Sequence, residues 1–243
     1  YTAISDKLEL RAYDDVILGA TEEMGASAAE TQETLIRDAL LVGTNVMYCD
    51  LVKSGAYVST PTSCAELKSN ATDGYCFLTP DMVAKAVTKM KKDRVPTING
   101  KYCAVIHPSV AYDLRKSSEW IEAHKYAAPE EIFNGEIGEL HGVRFIENVF
   151  APVLGGTSYQ NGNTKPGVTY ATYFFGKNAF GIIDPAGGAL QVIVHDKSEI
   201  GGPLNQFSTV GYKFETNGAT ILYPERVLRV MSCSSYDASD TTN

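Results

Sequence analysis

A long stretch near the start of the chain has the apolar spacing of an amphipathic helix. No proline interrupts it from about Tyr13 to Val42, and Gly43 with Asn45 supplies cap chemistry at its end. Its middle, TEEMGASAAETQET, has almost no large apolar residue, so we expect its ends to pack into cores while the middle crosses a thin or shared surface. A two-helix hairpin broken near Gly25 is the alternative. The shared face comprises Tyr13, Val16, Ile17, Ala20, Met24, Ala28, Thr31, Leu35, Ala39 and Leu40.

The segment TPDMVAKAVTKMKKD predicts a second helix. Thr79 is suited to cap it and Pro80 to occupy its first position. The lysines at its end are favoured by the helix dipole and indicate a solvated face; phosphate binding by Lys89, Lys91 and Lys92 is the less favoured reading. The inward stripe is Met82, Val83, Ala86, Val87 and Met90.

The remaining pattern predicts short helices and many strands. YTAIS reads as a strand and residues 44–78 as irregular; KYCAVIHP is a buried strand, followed by the helices PSVAYDLRK and SSEWIEAHKYA. PEEIFNGEIGEL reads as a turn and short helix. Strands follow in GVRFIENV, in VTYATYFFGKNAFGIID (two), in ALQVIVHD and in STVGYKFETNGATILYPERVLRVMS (two or three). This order predicts an α+β protein rather than alternating βαβ units.

The composition argues against several classes of function. The chain has 243 residues, 44% hydrophobic, enough for one large or two small domains. A net charge of −8 argues against tight binding to a nucleic-acid backbone, and no apolar run of about 18 residues predicts a membrane span. The five cysteines form no CxxC pair and favour reduced thiols over a metal site. Because the chain starts at Tyr1 inside a strand-like segment, we expect upstream sequence.

The stretch from Ile106 to Phe145 holds the residues that could carry catalysis. Nucleophilic catalysis needs a base and an oxyanion-binding backbone, and no glycine-rich elbow frames Ser109 or Cys103. We therefore expect no catalytic residue, metal ligand or cofactor, although a hydrolase stays an alternative. Its candidate acids and bases would be His107 with Asp113, His124 with Glu119 and Glu122, or a carboxylate pair from Glu130, Glu131, Glu136 and Glu139.

The same stretch supplies a family resemblance. IHPSVAYDLRKSSEWIEAHKYAAPEEIFNGEIGELHGVRFIENV, RDALLVGTNV, YFFGKNAFGIID and GGPLNQFSTVGYKFETNGATIL closely resemble, in this order, the major capsid proteins of tailed bacteriophages, in the branch named after coliphage N-four. The resemblance implies the Hong Kong 97-type capsid fold. That α+β fold has a peripheral domain with a long spine helix and an axial domain with a central mixed sheet flanked by helices.

The resemblance also implies a domain layout. The family's N-terminal arm and extended loop would precede YTAIS, so we expect them to be absent here. The stretch 48–78, with three cysteines, looks like a surface insertion. The implied layout is a peripheral domain at 1–43 and 187–217 with its spine helix at about 13–42, an axial domain at 44–186 and 218–233, and a flexible tail at 234–243.

The implied function is structural. Such a protein self-assembles through pentamers and hexamers into the icosahedral head that encloses double-stranded DNA without sequence-specific binding. Scaffold, portal and decoration proteins are its possible partners; the product is made in the host cytoplasm and ends in the virion capsid. An encapsulin-like bacterial compartment shell is the alternative within the fold. Aromatic and charged groups on short elements are typical of protein contacts, so the subunit-interface candidates are Arg115, Trp120, Glu122, Tyr126, Glu130, Glu131 and Phe133.

Overall fold

The amphipathic N-terminal stretch folds as one helix, α2 (Val16–Leu41), in a computed structural model that describes residues 1–13, 15–68, 74–124, 136–155, 168–183, 190–199, 204–215, 218–236 and 240. Asp15 caps the helix, because its carboxylate accepts hydrogen bonds from the backbone N–H groups of Ile17 and Leu18. Gly25 lies inside the helix with open space around it, so the hairpin alternative is wrong.

The other described helices and strands are short. The helices are α1 (Asp6–Arg11), α3 (Pro80–Lys92), α4 (Pro108–Lys116) and α5 (Ser118–His124). The strands are β1 (Thr2–Ser5), β2 (Val46–Tyr48), β3 (Leu51–Lys53), β4 (Ala56–Ser59), β5 (Tyr102–Ile106), β6 (Glu136–Leu140), β7 (Val143–Glu147), β8 (Val153–Gly155), β9 (Val168–Phe175), β10 (Phe180–Ile182), β11 (Gln191–His195), β12 (Phe207–Lys213), β13 (Ala219–Ile221) and β14 (Val227–Ser232).

The chain is organised in two units. The first unit comprises Tyr1–Ala39 and Ile182–Thr220, and the second comprises Leu40–Gly181 and Ile221–Asn243. None of the described helices is long and apolar enough to cross a membrane.

The first unit is built on α2 and a three-stranded antiparallel sheet in the order β1-β12-β11. Side-chain hydrogen bonds with Thr31 and Ser27 lower the pKa of Tyr212, and they join β12 to α2. Lys197 forms ion pairs with Asp6 and with Glu9, which hold the segment after β11 against α1. Half of the 26 residues of α2 are exposed, and only Ala28 and Leu40 of this helix are buried.

The second unit is built on a mixed sheet in the order β2-β14-β9-β5-β7-β6, with β8 also paired to β9. The β14–β2 and β5–β7 pairs are parallel, and the other pairs are antiparallel. All eight residues of the central strand β9 are buried, as expected for a strand covered on both faces.

Aromatic packing fills the core of the second unit. The ring of Phe145 on β7 meets Trp120 of α5 edge-on at 5.8 Å and Phe174 of β9 at 6.2 Å between centroids. The helix α3 contributes the predicted apolar stripe, all of which is buried: Met82, Val83, Ala86, Val87 and Met90. The structure therefore confirms the inward apolar stripe predicted for this helix.

Two predictions of local structure are wrong. The stretch 44–78 is not simply irregular, because β2, β3 and β4 lie in it and β2 extends the main sheet beside β14. Residues Glu136–Leu140 form the strand β6 rather than a short helix. Both segments are short and Gly-, Ser- or Thr-rich nearby, and they become strands by pairing with partners elsewhere in the sheet.

Thr79 caps the N-terminus of α3, and substitution of this residue tests the cap. The Thr79 hydroxyl accepts the backbone N–H of Met82 at 3.4 Å, so Thr79→Ala is expected to lower the free energy of unfolding by about 1 kcal/mol. Chemical denaturation measures it. Thr88→Ala, at an exposed position within the same helix, is the control and should change stability by less than about 0.5 kcal/mol. Equal effects of the two substitutions would refute the cap.

Candidate functional surfaces

Four polar side chains meet where α4 begins. His107 precedes the helix, and its Nδ1 accepts the backbone N–H of Ser109 at 3.2 Å. Asp240, from the end of the chain, accepts hydrogen bonds from the hydroxyls of Ser109 and Tyr170. The His107 ring lies 4.9 Å from the Tyr170 ring, and its Nδ1 is 4.0 Å from the Asp240 carboxylate.

This cluster has the residue types of a catalytic triad but not its hydrogen bonds. A triad needs the serine hydroxyl to donate to histidine while the carboxylate binds the opposite ring nitrogen. Here the Ser109 hydroxyl donates to Asp240, and His107 Nδ1 is occupied by a backbone N–H. Asp113, the proposed partner of His107, instead accepts hydrogen bonds from Ser235. The cluster therefore works as a structural clasp.

The contacts of the clasp continue at residues 234–236. Ser234 is fully buried and donates to the carbonyl of Ser109, while the ring of Tyr236 packs 5.3 Å from that of Tyr112 on α4. The sequence predicts a flexible tail from residue 234, and within that tail Ser234, Ser235 and Asp240 form hydrogen bonds with residues of α4. Polar tails look mobile in sequence, but this one finds its hydrogen-bond partners on α4 and β9.

The clasp is expected to loosen in acid. Burial raises the pKa of Asp240, but hydrogen bonds from Ser109 and Tyr170 and the charge of His107 bring it below its ordinary value. Burial lowers the pKa of His107, against the opposing effects of Asp240 and Glu147. Groups with a lowered folded pKa stabilise the folded state above their unfolded pKa, and this contribution is lost as pH falls through the folded value.

Amide hydrogen exchange at residues 234–236 measures this effect. Protection should be constant at neutral pH, decline below about pH 6.5 as the His107 contribution is lost, and decline again below about pH 4 with Asp240. Asp240→Asn should remove the second decline and keep the first. Protection that stays constant down to pH 3 in the unaltered chain would contradict the clasp.

The other described carboxylates considered as catalytic acids or bases are either ion-paired or exposed on a helix. Glu139 pairs with Lys101, and Glu119 and Glu122 lie exposed on α5. Glu130 and Glu131 lie outside the described residues. Among the residues that are described, no group of three or more His, Cys, Asp or Glu could hold a metal ion.

Cys49, Cys76 and Cys103 also lack nucleophile character, because burial raises the pKa of each thiol. Burial raises the pKa of the Cys103 thiol, and it raises that of Cys49, packed near Cys76 and Cys233, well above the ordinary value. A thiol with a raised pKa is protonated at neutral pH and is a poor nucleophile.

The subunit-interface candidates fall in different places. Arg115 is half exposed at the end of α4 and forms an ion pair with Glu147, and Glu122 is exposed. Trp120 is only 5% exposed and packs against Phe145, so it is a core residue of its own chain rather than a surface anchor. Tyr126, Glu130, Glu131 and Phe133 lie outside the described residues.

An apolar sheet edge was not singled out from the sequence. The strand β11 is at one edge of the three-stranded sheet, and all five of its residues are exposed. Val192, Ile193 and Val194 are 42%, 37% and 42% exposed, so apolar side chains project from both faces. Among the described strands, none pairs with the outer side of β11, and an apolar edge of this kind is a surface that another strand or chain can cover. The continuous apolar run in ALQVIVHD was a signal for a strand, but it did not indicate exposure.

Comparison with known protein families gives a match that covers most of the chain. A family model described as phage capsid protein matches residues 1–214. No curated protein sequence matches the chain.

Solved structures share the fold at low sequence identity. The capsid of the cyanophage P-SCSP1u is 16% identical with a TM-score of 0.63, over 96% of this chain and 71% of that chain. The head of the Helicobacter pylori bacteriophage KHP40 is 13% identical with a TM-score of 0.64, over 96% and 74%. The holo-SrpI encapsulin complex from Synechococcus elongatus is 10% identical with a TM-score of 0.54, over 99% and 74%.

Proposed function

The chain belongs to the phage capsid protein family and is a structural shell protein of the virion capsid, and from this we propose that its copies build the icosahedral head around phage double-stranded DNA. The observation that carries the proposal is the family match over residues 1–214, together with the Hong Kong 97-like capsid fold. Self-association into a shell is what such a subunit does. The enclosed DNA, the pentamers and hexamers, and synthesis in the host cytoplasm belong to the proposal.

We assign the first unit to the peripheral domain and the second to the axial domain. Within this assignment α2 is the spine helix. At 1.5 Å per residue its 26 residues span about 39 Å, and only Ala28 and Leu40 in it are buried. A helix so poorly covered by its own chain is supported most simply by neighbouring copies. The quoted sequence segments support placing the chain in the coliphage N-four branch, with scaffold, portal and decoration proteins as further partners.

Subunit contacts in this proposal include the apolar edge of β11. Covering it by a neighbouring copy removes apolar surface from water and satisfies unpaired backbone groups. Arg115 and Glu122 remain candidates for the polar rim of a contact, because both are exposed.

Negative-stain electron microscopy of the full gene product, expressed alone and with its neighbouring head genes, tests the function. The expected result is closed shells of uniform diameter that carry DNA when packaging proteins are present. Dispersed subunits under every condition would overturn the shell function. Shells that instead enclose a protein cargo would favour an encapsulin-like compartment.

A matched pair of variants tests the β11 edge. Val194→Lys places a charge on this edge, at a position 42% exposed, and is expected to reduce shell yield strongly without unfolding the subunit. Val58→Lys, on β4 at 52% exposure, is the control and should assemble normally. Normal assembly of both variants would remove β11 from the contact, while circular dichroism checks that each is folded.

A further inference from the structure

Five basic side chains gather at one end of the second unit. They come from the last turn of α3, the segment after it, the turn between β9 and β10, and the short turn before β14. Hydrogen bonds join three of these segments: the backbone N–H of Lys177 donates to the Pro96 carbonyl at 2.9 Å, and the Arg226 guanidinium donates to the Lys177 carbonyl at 3.0 Å. We call this surface the basic end; it comprises Lys91, Lys92, Arg94, Lys177 and Arg226.

The charges of the basic end are not neutralised within the described chain. No ion pair joins any of its five side chains to a described carboxylate, whereas Lys85, Lys101 and Lys197 all have one. Lys91, Lys92, Arg94 and Lys177 are exposed, and Arg226 lies 3.9 Å over the ring of Tyr223. Even after the exposed Asp93 and Glu225 nearby are counted, the surface is positive in a chain whose net charge is −8.

A complementary surface lies on α2. Glu22, Glu23 and Glu30 are exposed and lie on one helical face, because their spacing of one, seven and eight residues keeps them within about a third of a turn. Gly19, one turn before Glu22, and Ala26, between Glu23 and Glu30, share this face, and nothing stands within 4 Å of a Cβ built at Gly19. No described cation pairs with these three glutamates. We call this surface the acidic stripe.

We propose that in the shell the basic end of one copy contacts the acidic stripe of a neighbouring copy. This inference rests on the proposed shell function, since a shell requires contacts between identical chains. Copies that each carry a net charge of −8 repel one another at long range, so assembly favours orientations that bring opposite patches together. The small residues in the stripe let lysine and arginine side chains approach the glutamates closely.

A head-to-tail contact of this kind repeats in every copy. Two different surfaces of the same chain are joined, so the contact is heterologous and generates closed rings when the rotation between copies closes. An exposed ion pair alone contributes little, but several charges acting together at each repeated contact set orientation and association rate. Packaged DNA is the competing occupant of the basic end, because phosphates also bind lysine and arginine.

Zero-length cross-linking tests whether the basic end contacts the acidic stripe of a neighbouring copy. Shells assembled from an equal mixture of ¹⁴N- and ¹⁵N-labelled chains are treated with a carbodiimide, which joins a lysine amine to a carboxylate in direct contact. The expected products are mixed-isotope peptides linking Lys91, Lys92 or Lys177 to Glu22, Glu23 or Glu30. Lys53, which is exposed on β3, is the internal control and should give no such product. Products with a single isotope label only would place the contact within one chain and overturn the proposal.

Charge reversal gives an independent test. Lys91→Glu with Lys92→Glu, and separately Glu22→Lys with Glu23→Lys, should each slow shell assembly at least about tenfold, and the four substitutions together should restore it. Lys53→Glu is the control and should assemble at the unaltered rate. If only the lysine variant is affected, and it loses DNA rather than assembly, the partner of the basic end is DNA and the proposal fails.

The outcomes separate this contact from the shell function. Unaltered chains that never form shells contradict the shell function itself. Unaltered chains that form shells, together with both reversed variants assembling normally, contradict only the contact between the basic end and the acidic stripe. Failure of the four-fold variant to recover, while it remains folded by circular dichroism, also overturns the pairing.

Discussion

Phe145→Ala is expected to lower the free energy of unfolding of the second unit by about 3–5 kcal/mol. Phe145 is fully buried, and its ring lies between those of Trp120 and Phe174. Removing it takes away a large buried apolar area and two edge-to-face contacts, and it leaves a cavity between the helix α5 and the sheet. The surrounding strands are hydrogen-bonded on both sides, so they cannot collapse fully into that space.

Urea denaturation of the dispersed subunit measures this effect. Trp120 is the only tryptophan and is buried against Phe145, so its fluorescence reports on unfolding of the same core. Ile146→Ala is the matched control, because the neighbouring residue on β7 is 38% exposed and should cost less than about 1.5 kcal/mol. A loss at Phe145 no greater than that at Ile146 would mean that the aromatic cluster is not the core of this unit.

Gly176→Ala is expected to destabilise the second unit by about 1–3 kcal/mol or more through overpacking. A Cβ at this position would lie 2.2 Å from Cγ1 of Val95 and 2.9 Å from the carbonyl oxygen of Pro96. The backbone cannot move aside easily, because Gly176 donates to the Arg226 carbonyl and the next residue, Lys177, donates to Pro96, both at 2.9 Å.

Gly181→Ala provides the comparison for Gly176. Its added methyl would meet Leu222 at 3.4 Å, which is ordinary van der Waals contact, so we expect a change within about 0.5 kcal/mol. The same urea titration followed by Trp120 fluorescence compares the two. Equal stability of the two variants would show that Val95 and Pro96 yield without cost. Because the segment at Gly176 also supports the basic end, the Gly176 variant should additionally lower the yield of lysine–glutamate cross-links.

Local patterns predicted those features in which neighbouring residues decide the conformation. The long helix, the buried stripe of α3 and the cap at Thr79 all follow from spacing and cap chemistry within a few residues. The same reasoning failed for β2, a three-residue strand whose partner β14 lies near the other end of the chain. A strand that short carries no periodic signal of its own.

The candidate surfaces were predicted only in part. Trp120 was expected at a subunit contact, but a large aromatic residue is equally suited to a core, and the packing against Phe145 places it there. The clasp of His107, Ser109 and Tyr170 with Asp240 could not be predicted, since Ser109 and Asp240 are 131 residues apart. The apolar run in β11 indicated a strand but not that it lies at an open edge.

The sequence by itself determined the α+β class, the long helix and, through its segments of family resemblance, the expectation of a shell protein. These rest on local periodicity and on residue order, which a linear chain carries directly. The tertiary structure alone decided which apolar residues are covered, which residues hold 234–236 and Asp240, and which charges gather at the basic end. Burial and long-range electrostatics depend on segments that are distant in sequence and adjacent in space, so no local pattern specifies them.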